Sequence, residues 1–139
     1  MKVLETAAKK GAWVVLVNIK AGQVLMAKRG KINNAGQWNF FGGNVDPGES
    51  NKEGALRELY EESNLKLKRG DLTKLMNTGG YTFFMASVEK SIKKKIRLNE
   101  ESEKVKWFDV TDLPKNINPP TKALFKSKEF KALVKSVRK

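Results

Sequence analysis

At 139 residues the chain is long enough to bury one hydrophobic core, and it reads as a single domain over residues 1–139. Its 28 basic residues outnumber 15 acidic ones, a net charge of +13 that favours polyanionic partners such as nucleotides or nucleic acid. Cysteine and histidine are both absent, which excludes disulfides, thiolate metal sites and an imidazole base, so carboxylates lead the candidates for proton transfer. No apolar run is long enough to span a bilayer and no signal-peptide pattern opens the chain, so a cytoplasmic location and no membrane partner are expected.

In chain order, residues 12–18 (AWVVLVN) read as a buried strand, residues 20–22 as a turn and residues 23–28 (QVLMAK) as a returning strand. A polar loop over 29–37 contains Gly30, Asn33, Asn34 and Gly36. Trp38, Phe40 and Phe41 then lead to the pair Gly42–Gly43. Residues 72–76, 81–88 and 105–110 are further strands, and Asp112–Leu113–Pro114 is a short turn or helix. Pro119–Pro120 precedes a last helix, in which Phe130, Leu133, Val134 and Val137 form an i, i+3, i+4, i+7 stripe suited to core packing. Lysine concentrates at 90–97 (KSIKKKIR) and from Lys122 to Lys139, without the interleaved aromatic residues of a single-strand binding groove.

The most informative stretch is residues 43–65, GNVDPGESNKEGALRELYEESNL. Asp46–Pro47–Gly48 is a turn signal. A helix is expected from about Ser50, with Ser50 as N-cap and Glu53 completing a capping box, to an end at Ser63–Asn64, where asparagine tolerates a left-handed cap. Residues on a helix turn by about 100° each, so Glu58, Glu61 and Glu62 share one face while Ala55, Leu56, Leu59 and Ser63 lie on another arc that can pack on a sheet. Crowded carboxylates repel one another, and a divalent cation converts that repulsion into coordination. Gly54 lies one turn before Glu58; it is either a weak point costing about 1 kcal/mol of helix or a clearance for phosphate or metal.

This stretch resembles the signature of the Nudix (MutT-like) hydrolases, G-x5-E-x7-R-E-U-x-E-E-x-G-U with U aliphatic. Gly43, Glu49, Arg57, Glu58, Leu59, Glu61, Glu62 and Leu65 stand in their places, and Asn64 replaces the later glycine. The resemblance implies an α/β/α sandwich with a mixed β-sheet. It implies hydrolysis of a diphosphate linkage in a nucleoside diphosphate derivative: a nucleoside triphosphate, nucleotide sugar, ADP-ribose or dinucleoside polyphosphate. Magnesium (Mg2+) or manganese (Mn2+) is the implied cofactor. Glu58, Glu61 and Glu62, with the Gly42 carbonyl, are the implied metal ligands; Glu58 can instead orient or deprotonate water. Arg57 and Glu49 are the implied structural brace. A loop glutamate in the run Asn99–Glu103 adds a ligand or base in many members, with Glu101 the first candidate and Glu103 the second. Lys28, Arg29 and Trp38 are candidates for substrate binding. Phe41 stands where many members carry proline, which alters the entry to the loop. Two other functions compete: pyrophosphate or cap removal from RNA 5′ ends, motivated by the basic charge, and a catalytically silent domain that binds nucleic acid or protein. Members often dimerise, so a homodimer is open, although no segment reads as a seam.

Overall fold

A computed structural model describes residues 10–30 and 35–137. Asn33 and Asn34 of the expected loop, and the last two residues of the C-terminal lysine cluster, lie outside the described residues. The elements are β1 (Gly11–Asn18), β2 (Gln23–Arg29), β3 (Trp38–Asn39), β4 (Phe41–Asn44), α1 (Asn51–Ser63), β5 (Thr73–Thr78), β6 (Tyr81–Ser87), β7 (Ser102–Asp109), α2 (Pro119–Lys126) and α3 (Lys128–Val137). Short 3-10 turns occupy Arg69–Asp71 and Lys90–Lys95.

β1 is the centre of a mixed sheet, which explains its unbroken apolar run: Gly11 to Val17 are all buried because both faces are covered. Alternation along the strand divides the core in two. Trp13, Val15 and Val17 face the layer to which α2 and α3 contribute Leu124, Phe130, Leu133 and Val137. Ala12, Val14 and Leu16 face the layer to which α1 contributes Ala55 and Leu59. The result is the α/β/α layering expected.

One edge of β1 pairs in parallel with β6, which in turn pairs with β5. Its other edge is shared. Gly11–Val14 pair with β4, whereas Leu16–Asn18 pair with β2. β2 therefore diverges from β4, carrying β3 on one side and β7 on the other. That divergence opens the cleft that becomes the site.

Three expectations need correction. The short strands β3 and β4 were absent from the sequence reading, being two and four residues long. The final strand starts at Ser102 rather than residue 105, so Ser102 and Glu103 belong to β7 and not to the acidic loop that ends at Glu101. Two principal helices become three, because Asn118 caps a separate helix by accepting from Thr121 N at 2.9 Å, with Pro119 at its start.

Candidate active site

The helix that carries the carboxylates is fixed at both ends by its own side chains. Ser50 Oγ accepts from Glu53 N at 3.1 Å while Glu53 Oε1 accepts from Ser50 N at 2.8 Å. At the other end Asn64 adopts φ +66° and donates its N–H to Tyr60 O. The residue that departs from the family signature therefore makes the left-handed turn that glycine would make.

Arg57 holds the preceding turn against this helix. Its Nε and Nη2 donate to the two Glu49 carboxylate oxygens at 2.7 and 3.1 Å, and Nη2 also donates to Asn44 O at 3.0 Å. The Arg57 hydrogen bond, with the Asp46 N–H, holds the Glu49 carboxyl below the usual range. Gly54 serves the same docking. A Cβ there would meet Val45 Cγ2 at 3.0 Å and Glu49 Oε1 at 3.2 Å. Its clearance is for the turn, not for a phosphate or metal cluster.

Glu58 and Glu62 lean together against β4. A Cβ on Gly43 would lie 2.8 Å from Glu58 Cδ, so only glycine lets that carboxylate approach the strand. Gly42 N donates to Glu62 Oε1 at 3.0 Å, so β4 meets the helix through this amide. The Glu62 carboxyl is pushed up to about 9 by burial first, then by its hydrogen bond with Glu58 and by the charges of Glu58 and Glu101; the Gly42 N–H opposes this. Burial and the facing carboxylates favour the protonated form of the pair.

Glu61 is set apart. It is exposed and faces Arg57 Nη1 at 3.3 Å. Among the described residues no three acidic side chains converge on one point as a ready cation cage. The donor set nevertheless suits a hard divalent ion. Glu58, Glu62 and Glu101 crowd negative charge that the Glu62 proton now relieves, and a cation could take over that task. Glu61 would join by leaving an exposed pair worth only about 0.3–0.5 kcal/mol.

Glu101 is placed by a residue that sequence reading passed over. Asn99 Oδ1 accepts from Glu101 N at 3.0 Å, and Asn99 Nδ2 donates to Glu61 O at 3.2 Å, tying the acidic loop to the end of α1. Arg29 Nη1 lies 3.7 Å from Glu101. Glu103, by contrast, pairs with Lys28 at 3.5 Å, and neither lines the cleft.

The cleft is a pocket of about 200 Å³ whose wall includes Arg29, Asn39, Phe40, Glu62, Glu101 and Asn118. Two segments 79 residues apart form one side: Trp38 and Ile117 make a parallel bridge, so Asn39 and Asn118 follow on the pocket side while Trp38 stands behind the wall. The Asn39 Oδ1 atom is buried with no hydrogen-bond partner among the described residues. A larger, open depression of about 530 Å³ lies at the far end of β1, between Asn18, Ser87 and Ile92, away from these carboxylates. The smaller cleft is the chemical one, because it joins acid, base and amide groups in one space.

The model of the NUDIX domain matches residues 8–130. An oxidized purine nucleoside triphosphate hydrolase from Danio rerio is 46% identical over 52 residues, 37% of this chain and 33% of that protein. An RNA pyrophosphohydrolase from Erythrobacter litoralis is 39% identical over 61 residues, 44% of this chain and 37% of that protein. The matched stretch thus spans only about a third of each of these curated relatives. A crystal structure of a MutT NUDIX hydrolase from Burkholderia pseudomallei superposes with TM-score 0.69 at 23% identity, covering 86% of this chain and 97% of that one, a likeness of fold.

Proposed function

The chain belongs to the NUDIX family, and we propose on that premise that it is a metal-dependent hydrolase of a diphosphate linkage in a nucleoside triphosphate or related nucleoside diphosphate derivative. The observation that carries this reading is the crowding of Glu62 with Glu58 and Glu101 beside a polar pocket whose wall holds the buried, unpartnered Asn39 Oδ1. An acid cluster with a polar pocket beside it suits a ligand with a polyphosphate at one end and a base at the other.

In this proposal Glu58, Glu61 and Glu62 hold Mg2+ or Mn2+, with the Gly42 carbonyl as a further ligand. The bound ion would neutralise phosphate charge and acidify a water. Glu101, in the pocket wall, would take a proton from the attacking water as the water oxygen bonds to phosphorus and the bridging P–O bond breaks, the electron pair leaving with the departing phosphate. Arg29, beside Glu101 in the pocket wall, offsets negative charge on the departing phosphate. Asn118, whose Oδ1 is occupied by Thr121 N, offers its Nδ2 as donor to a base. Glu49 and Arg57 act only by setting the turn.

The test is a panel of nucleotides with magnesium, with products identified by mass, for the wild type, Glu61→Gln and Glu62→Gln. Turnover of a nucleoside triphosphate that falls about 100-fold or more in Glu62→Gln supports the assignment. Full turnover in both variants refutes it, and no turnover on any substrate would instead favour a silent binding domain.

A further inference from the structure

The outer side of the pocket wall carries a feature that a free nucleotide does not need. β7 is an edge strand, paired only with β2. Its residues Lys104, Lys106 and Phe108 register with Lys28, Met26 and Val24, so they emerge on the face covered by α2 and α3. There they meet Trp38. Lys104 Nζ lies 5.9 Å from the centroid of the Trp38 ring, and Lys106 Nζ lies 5.1 Å from that of Phe108. The two rings touch edge to face at 4.8 Å. Both rings are half-buried, both lysines are exposed, and neither ammonium has a carboxylate within ion-pairing distance among the described residues.

We propose that this ledge of Lys104, Trp38, Lys106 and Phe108 binds the nucleotides that follow the first one in a single strand of RNA bearing a 5′ polyphosphate. The inference rests on the pyrophosphatase reading above and deepens it: an RNA 5′ end is a nucleoside triphosphate whose 3′ oxygen continues into a chain. Trp38 and Asn39 are consecutive residues on opposite sides of a wall one strand thick, so a strand leaving the pocket reaches the ledge by crossing its rim. Paired cations and exposed ring surface are the two elements that hold single strands without reading sequence. The cations can turn from ring to phosphate at little cost, since an exposed cation–π contact is worth only about 0.5–1 kcal/mol. A free triphosphate would leave the ledge untouched.

The experiment measures anisotropy of a labelled 5′-triphosphorylated RNA of about eight nucleotides across a salt series, without divalent metal so that no turnover intervenes. Steady-state hydrolysis of a free nucleoside triphosphate is measured alongside. The variants are Lys104→Ala/Lys106→Ala and, as a charge-matched control, Lys131→Ala/Lys135→Ala on α3. The ledge variant should bind RNA about tenfold more weakly, with a salt slope shallower by about 1.4, or about 0.7 per lost phosphate contact. Its KM for the free nucleotide should stay within about twofold, and the control should bind RNA within about twofold of wild type. RNA affinity unchanged in the ledge variant overturns the proposal, as does an equal loss in the control, which would mean a diffuse field. Failure of the wild type to hydrolyse any nucleotide would sink the pyrophosphatase reading, and the binding comparison would still decide whether the ledge holds RNA.

Discussion

Arg57 and Lys131 carry the same charge in opposite circumstances. Arg57 donates to Glu49, Asn44 O, Glu58 and Glu61, and is packed beneath a turn. Lys131 is exposed on α3, with no carboxylate within ion-pairing distance among the described residues. The same division runs through the molecule. Around α1, charge is fixed by short hydrogen bonds and glycine-permitted contacts, so geometry depends on each group. Along α2 and α3, Lys122, Lys126, Lys128, Lys131 and Lys135 are all exposed and contribute a field more than a shape.

Substitutions sharpen that contrast. Glu62→Gln should separate activity from stability: catalysis falls about 100-fold, while thermal stability at pH 7 rises rather than falls, because glutamine keeps the neutral side chain in the folded state and has no carboxyl for unfolding to ionise. Arg57→Ala should lower stability by about 1–3 kcal/mol in denaturant unfolding, a figure discounted for the partial exposure of the guanidinium. Gly54→Ala should cost about 1–2 kcal/mol in the same assay despite the better helix propensity of alanine, since Val45 and Glu49 must give way. Lys131→Ala should change stability by less than about 0.5 kcal/mol. A large loss in the last variant, or none in Arg57→Ala, would erase the distinction between the two regions.

Legibility in the sequence followed contact distance along the chain. The capping box at Ser50 and Glu53 and the left-handed Asn64 join residues three or four apart, and helical spacing was enough to find them; of the expected trio Glu58, Glu61 and Glu62, only Glu58 and Glu62 come together, because Glu61 turns to Arg57. The family resemblance supplied the layered fold. The Asn39–Asn118 wall was invisible, because it needs a bridge between Trp38 and Ile117 that no local pattern announces. Asn99 was equally silent: its bonds to Glu61 O and Glu101 N depend on where a distant loop lands. The ledge did leave a trace in the alternation Lys104, Lys106, Phe108, but the strand expected over residues 105–110 begins after Lys104, and nothing local marks it as a sheet edge. Gly54 stays open in sequence between a weak point and a clearance, because clearance for a ligand and clearance for a neighbouring turn look identical there.

The central claim is that a divalent ion replaces the proton on Glu62. In the metal-free protein this group binds its proton more tightly folded than unfolded, its acidity shifting from 4.5 to about 9, so folding stability should fall as pH rises across that interval. The most direct measurement is calorimetric titration of magnesium or manganese at pH 7 in two buffers of different ionisation enthalpy, which counts the protons released. The account predicts release of about one proton per bound ion in the wild type and none in Glu62→Gln. Binding with no proton release in the wild type, or the same release in the variant, would contradict it.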